Sequence, residues 1–181
     1  MKREYLTVSN LLSFARVLLV LPFLIVMLSA IPTARLWGCV ILALAALTDK
    51  LDGYVARRFH QETELGRILD PLADKVGVAA VAIILLYLGS LPLWFVGTLV
   101  VRDLLILAGG LYIKRRTGVV MASNTAGKWT VGVVAVALMC ALIDAPTAVT
   151  GISVAAATGM VALSFVLYVR TFVVVVSGRG A

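Results

Sequence analysis

Six apolar stretches, at residues 7–30, 34–58, 65–88, 93–113, 125–143 and 147–176, follow one another with short breaks, the longest being residues 114–124. A helix needs about 20 predominantly apolar residues to cross a bilayer, and each stretch meets or approaches that length. The breaks are turn formers: Ile31-Pro32-Thr33, Gly89-Ser90-Leu91-Pro92 and Asp144-Ala145-Pro146. Only 14% of the residues are charged and 62% are hydrophobic, with mean hydropathy +1.08. A soluble domain carries about 25% charged residues, so a soluble fold is excluded as a reasonable reading. The expected fold is an all-α integral membrane protein of six transmembrane helices, a single domain over residues 1–181.

The net charge of +7 is unevenly spread. With the N-terminus in the cytoplasm, that side receives Lys2, Arg3, Arg57, Arg58, Arg67, Lys114, Arg115, Arg116, Lys128 and Arg179, and the opposite side only Arg35. This asymmetry follows the positive-inside rule and predicts a multi-pass protein of the bacterial cytoplasmic membrane with both termini cytoplasmic. The basic residues therefore point to membrane lipids and phosphorylated substrates, with no nucleic-acid partner. The opening Lys2-Arg3-Glu4 is expected on the membrane surface. Arg16 within the first long stretch, and the lack of a cleavage site, argue against a removable signal. Cys39 and Cys140 lie in apolar runs and read as small core residues, and His60 as a solvated loop residue.

Residues 59–64 form a short cytoplasmic hairpin between the second and third helices, and its arms carry four aspartates. Asp49 and Asp52 are spaced i, i+3, and Asp70 and Asp74 are spaced i, i+4, so each pair shares a helix face. A loop this short makes its two helices antiparallel neighbours, and residues equally far from its centre then sit at one depth. Asp49 pairs with Asp74 and Asp52 with Asp70 on that basis, within about one 5.4 Å turn. Asp74 is roughly 14 Å along the third helix, which keeps the cluster near the cytoplasmic interface.

Four such carboxylates cannot all stay ionised without counter-charge, and each costs roughly 2.5–3.5 kcal/mol at the centre of a membrane helix. Hard oxygen donors with no His or Cys nearby suit Mg²⁺ or Mn²⁺, and four carboxylates suffice for two ions. The competing role is a set of structural ion pairs with Lys50, Arg57, Arg67 and Lys75, of which Lys50 and Lys75 lie off the aspartate faces. Gly53 and Gly66 share this stretch; a glycine inside a helix costs about 1 kcal/mol relative to alanine but lets a ligand approach the backbone. Arg57, one turn beyond Gly53, suits a phosphate.

The stretch from Asp49 to Asp74 resembles the signature of the CDP-alcohol phosphotransferase family, D-x2-D-G-x2-A-R-x8-G-x3-D-x3-D. Asp49, Asp52, Gly53, Ala56, Arg57, Gly66, Asp70 and Asp74 meet every fixed position. The resemblance implies transfer of a phosphatidyl group from CDP-diacylglycerol to an alcohol, with release of CMP. It implies that Asp49, Asp52 and Asp70 bind metal and that Asp74 joins the metal site as general base. It implies too that Asp49, Asp52, Gly53, Ala56, Arg57, Gly66 and Asp70 hold the CDP donor, and that the protein is a homodimer.

Within the family, Asp70-Pro71-Leu72-Ala73-Asp74-Lys75 is similar to the branch that makes phosphatidylglycerophosphate and to the cardiolipin-forming branch. Asn10-Leu11-Leu12-Ser13-Phe14-Ala15-Arg16 is similar to the N-x-L-T-x-x-R opening of the former, with Ser13 for Thr and Ser9 for the preceding Pro. Gly127-Lys128-Trp129-Thr130 is similar to a G-K-x-K-T stretch but lacks its second lysine. The expected acceptor is a small phosphorylated alcohol, sn-glycerol 3-phosphate first, with phosphatidylglycerol or inositol phosphate as alternatives. Arg102, Lys128 and Arg16 are the basic residues expected to meet its phosphate, although Arg102 stands beside Asp103 and an ion pair is its competing role. A cation carrier using the aspartates as its pathway is the alternative from another class; it has no need of the glycine and arginine positions.

Overall fold

The computed structural model describes residues 8–59, 66–117 and 125–177, the side chains of 8–13, 16, 49–59, 66–71, 114, 116–117 and 125–126 excepted. The surface segment expected at residues 2–4, the hairpin loop beyond Phe59 with His60, and Arg179 lie outside the described residues. Every described element is an α-helix: α1 Val8–Leu28, α2 Ala34–Phe59, α3 Gly66–Tyr87, α4 Leu93–Thr117, α5 Thr125–Leu142 and α6 Thr147–Val176.

The expected breaks fall where turn chemistry puts them. After α1, Ser29 N–H and Oγ–H both donate to the Val26 carbonyl, at 3.1 and 2.5 Å. Gly89 takes φ 74°, the left-handed conformation that ends a helix most cheaply in glycine. After α5 the same role falls to Asp144, at φ 57°, and Ala145 N–H closes the turn on the Cys140 carbonyl at 2.9 Å. Aspartate tolerates this conformation better than branched residues do. α4 continues past its apolar run, through the closing Lys114-Arg115-Arg116, to Thr117. Lys114, Arg115 and Arg116 are good helix formers, and cations favour a helix C-terminus.

The chain groups into two compact units, Met1–Leu88 and Gly89–Ala181. In the first, α1 packs against both α2 and α3. Its buried side chains are Phe23 and Met27 of α1, Ala34 of α2, and Ala73, Val81, Ala82, Ile84 and Leu85 of α3. In the second, α6 packs against both α5 and α4. Val154, Ala157, Val161 and Ser164 mark the buried stripe of α6, and Thr130, Val134, Ala137, Leu138 and Ala141 that of α5. Both follow the helical period, and the alanines let backbones approach closely, which drives helix association in lipid.

The seam between α4 and α6 is polar at two rungs. Arg102 donates to Ser164 Oγ at 2.5 Å and Tyr168 Oη–H donates to the Ile106 carbonyl at 2.9 Å, both across 62 residues of chain. Equal offsets one turn apart mean that the two helices run parallel, in register. Aromatic contacts extend the seam, with Phe172 at 6.1 Å from Tyr112 and 6.5 Å from Tyr168 between ring centroids. Gly109 makes room for it: a Cβ there would stand 2.7 Å from Tyr168 Oη and 3.3 Å from Cε1. At Gly110 the nearest such atom is 3.9 Å away, an ordinary contact. Gly109→Ala should therefore lower the thermal midpoint through overpacking, about 1–3 kcal/mol. Gly110→Ala should raise it by about 1 kcal/mol of helix propensity. Thermal unfolding of the two variants side by side in one detergent checks this; a rise for Gly109→Ala would remove the tyrosine as a wedge.

Outside these seams the surface is apolar. Leu93–Ile113 has mean hydropathy 1.7 with 17% of its apolar window buried, and Thr147–Val176 has 2.1 with 11% buried. Ile152, Val166, Leu104 and Val101 all expose more than half their surface. So much exposed apolar surface on long helices requires lipid as the solvent, and the chain is a membrane protein. The other apolar stretches among the described residues are shorter, Val17–Leu28, Ala34–Thr48 and Gly127–Leu142.

Candidate functional site

The signature residues occupy two helices of the first unit. Asp49, Asp52, Gly53, Ala56 and Arg57 fall on the last three turns of α2, and Gly66, Asp70 and Asp74 on the first turns of α3. A helical backbone through both segments gives the i, i+3 and i, i+4 spacings their expected meaning: each aspartate pair lies on one helix face. Pro71 sits inside α3 directly after Asp70 and has no N–H for the Arg67 carbonyl, so the ladder is missing a rung within the signature. The side chains of Asp49, Asp52, Arg57 and Asp70 lie outside the described residues, and so does the expected convergence of the four carboxylates.

Asp74 is described. It is exposed, whereas Ala73 beside it is only 5% exposed and belongs to the buried stripe of α3. Successive residues of a helix are about 100° apart, so packing Ala73 inward turns Asp74 outward. Asp74 and Lys75 both engage in polar or electrostatic interactions. An exposed carboxylate is accessible to a substrate hydroxyl, as a general base must be. Directly before Asp49, the Thr48 hydroxyl donates to the Ala45 carbonyl at 2.8 Å, so it is committed to its own helix. Among the described residues no three His, Cys, Asp or Glu side chains gather to hold a metal.

The three residues expected to meet the acceptor phosphate divide differently. Arg16 is on α1 of the first unit, its side chain outside the described residues. Arg102 and Lys128 belong to the second unit. Arg102 is 11% exposed and forms an ion pair with Asp103, Nη1 to Oδ1 at 2.6 Å, while its other terminal nitrogen donates to Ser164. Its Nε is buried with no partner among the described residues. Held by Asp103 and bonded to Ser164, Arg102 ties α4 to α6. Lys128 is exposed in the first turn of α5. In the same stretch Thr130 is 1% exposed and donates to the Met160 carbonyl at 3.1 Å, fastening α5 to α6.

Ser164 and Tyr168, the far ends of the α4 rungs, went unrecognised in the sequence. Their signal was weak: α6 also carries Thr150, Ser153, Thr158, Arg170 and Thr171, and nothing in the sequence singles out Ser164 and Tyr168 as the pair that matches Arg102 and Ile106 on α4.

Residues 6–176 match the sequence profile of the CDP-alcohol phosphatidyltransferase family. The Bacillus subtilis protein named CDP-diacylglycerol–glycerol-3-phosphate 3-phosphatidyltransferase is 36% identical over 131 residues, 66% of this chain and 67% of that protein. The Streptomyces coelicolor cardiolipin synthase (CMP-forming) is 39% identical over 118 residues, 62% of this chain and 54% of that protein. The Rattus norvegicus cardiolipin synthase (CMP-forming) is 41% identical over 78 residues, 42% of this chain and 26% of that protein. The chain thus spans about two thirds of the Bacillus relative and about half of the Streptomyces one. With a profile match that takes in all six helices and the whole aspartate signature, the chain belongs to the CDP-alcohol phosphatidyltransferase family.

Proposed function

We propose that this chain is a metal-dependent phosphatidyltransferase of phospholipid synthesis. It moves the phosphatidyl group of CDP-diacylglycerol to sn-glycerol 3-phosphate, giving phosphatidylglycerophosphate and CMP. The observation that carries this is the complete signature, Asp49 to Asp74, on two helices of a membrane protein that belongs to the family. The chain is read as crossing the membrane six times, with both termini and the aspartates at the cytoplasmic face, because the basic residues concentrate there.

Asp49, Asp52, Asp70 and Asp74 form an all-carboxylate donor set, which fits Mg²⁺ or Mn²⁺ and has no soft ligand to favour another metal. When bound, divalent cations supply positive charge to the phosphoryl oxygens and to the departing CMP phosphate. Gly53 and Gly66 leave the backbone bare for the CDP part, and Arg57 meets a phosphate. Asp74 takes the proton of the acceptor hydroxyl as its oxygen attacks the β-phosphorus of the donor. The bond from that phosphorus to the CMP oxygen breaks in line, and CMP leaves into water while the lipid product stays in the bilayer.

Relatives named for glycerol 3-phosphate and for cardiolipin are comparably similar to this chain, so cardiolipin formation from phosphatidylglycerol is the second reading. Purified protein incubated with CDP-diacylglycerol, Mg²⁺ or Mn²⁺, and a panel of acceptors is expected to release CMP with glycerol 3-phosphate. Release with phosphatidylglycerol alone would move the reading to cardiolipin synthesis, and release with inositol phosphate alone to that acceptor. No CMP with any acceptor would sink the enzymatic reading. Lys128→Gln, raising KM for glycerol 3-phosphate with kcat retained, would mark Lys128 as a phosphate contact. The protein is also read as a homodimer, which crosslinking in native membranes tests.

A further inference from the structure

Arg35 is the one basic residue assigned to the face opposite the aspartates, and no step above uses it. It is half-buried at the start of α2, where Met27, Ser29, Ile31, Pro32, Ala34, Arg35 and Leu88 of the first unit enclose a cavity of about 250 Å³. Met27 and Ala34 are buried and form the apolar part of its wall. The Ser29 hydroxyl proton is spent on the Val26 carbonyl, which leaves Arg35 as the side-chain donor to an anion. Arg35 already engages in a polar or electrostatic interaction, and its guanidinium has five N–H donors in a fork that matches phosphate, enough for more than one acceptor.

The surroundings specify the source of that anion. Leu28, Ile31, Leu36 and Trp37 are between 50% and 64% exposed, and Tyr87, adjoining Leu88, is 76% exposed. Exposed tryptophan and tyrosine mark headgroup depth in a membrane protein, and the exposed aliphatic side chains are wetted by acyl chains. The cavity is smaller than the roughly 300–1,000 Å³ of pockets that enclose a whole small ligand. It therefore suits a headgroup whose chains remain outside.

We propose that Arg35 and this cavity bind the phosphate headgroup of an anionic phospholipid from the leaflet opposite the aspartates. The inference rests on the membrane topology of the proposed function. It concerns a different face from the reaction, and CMP release by the same preparation reports the reaction separately.

The test uses full-length protein in nanodiscs that contain photoactivatable phosphatidylglycerol, with labelled peptides mapped by mass spectrometry. Labelling within residues 27–37 is expected, and the phosphatidylcholine analogue should label them about tenfold less, because its choline cation cancels the headgroup's net charge and is repelled by Arg35. Arg35→Gln should lower this labelling to a similar degree, and Arg35→Lys should retain most of it. Three results would each overturn the proposal: equal labelling by the two lipids, equal loss in both variants, or no loss in Arg35→Gln. Displacement of the label by free glycerol 3-phosphate would also overturn it, by assigning the cavity to a soluble phosphate.

Discussion

Asp74→Asn should slow turnover by about 10²–10⁴-fold while the protein still binds its CDP-linked donor, the usual range for loss of a positioned general base. The amide keeps the size of the carboxylate and one oxygen acceptor, but it cannot take the proton of an acceptor hydroxyl. Asp74 is the signature aspartate whose surroundings are described, exposed beside the buried Ala73, so the substitution puts no polar group into a packed seam. Single-turnover CMP release and equilibrium binding of CDP-diacylglycerol separate the two effects. Equal losses of binding and turnover would assign Asp74 to donor or metal binding instead. Undiminished turnover would remove it from the chemistry.

The second large effect is on stability. Asp103→Leu leaves the Arg102 guanidinium, 11% exposed, without its 2.6 Å ion-pair partner. Removing one member of a buried pair costs about 3–5 kcal/mol, because the remaining charge is stranded. The double change Arg102→Met with Asp103→Leu strands no charge, leaving only the Ser164 hydroxyl without its Arg102 donor, and should recover most of that loss, since apolar replacements of buried ion pairs are often neutral. Thermal midpoints of the two variants decide the matter. If the single and double variants fell together, packing at these sites and not charge would hold the seam. If Arg102→Met with Asp103→Leu kept both its midpoint and its KM for the acceptor, Arg102 would have no part in acceptor binding.

Residue type and spacing made the helices legible almost to their ends. Pro32, Gly89 with Pro92, and Asp144 with Pro146 stop helices for local reasons, and they stop them where expected. At α4 the apolar run stops at Ile113 but the helix includes the closing Lys114-Arg115-Arg116 and ends at Thr117, because hydropathy reports apolar length and not helix length. The helix pairing was less legible. Short loops suggested neighbours in sequence, yet α1 packs on both α2 and α3, and α4 pairs with α6 across 62 residues. Such pairings rest on small residues such as Gly109 and on single polar rungs, which hydropathy averages away. The candidate site divides the same way. The positions from Asp49 to Asp74 are a matter of spacing and could be read directly. The clamp that Arg102 makes needed Ser164, a partner that no local pattern supplies.

The adjacency of Arg102 and Asp103 also bears on how the protein is made. Each charge alone would oppose insertion of α4 by roughly 2.5–3.5 kcal/mol at mid-helix. Ser164, the partner on α6, is translated 62 residues after Arg102, so it cannot help α4 leave the translocon. Asp103 can, because it emerges in the next codon and travels with Arg102 as a pair of zero net charge. The ion pair thus needs no other helix, whereas the seam needs α6. The charge on Arg102 is balanced within α4 itself, and α6 adds only an acceptor at Ser164 and a donor at Tyr168.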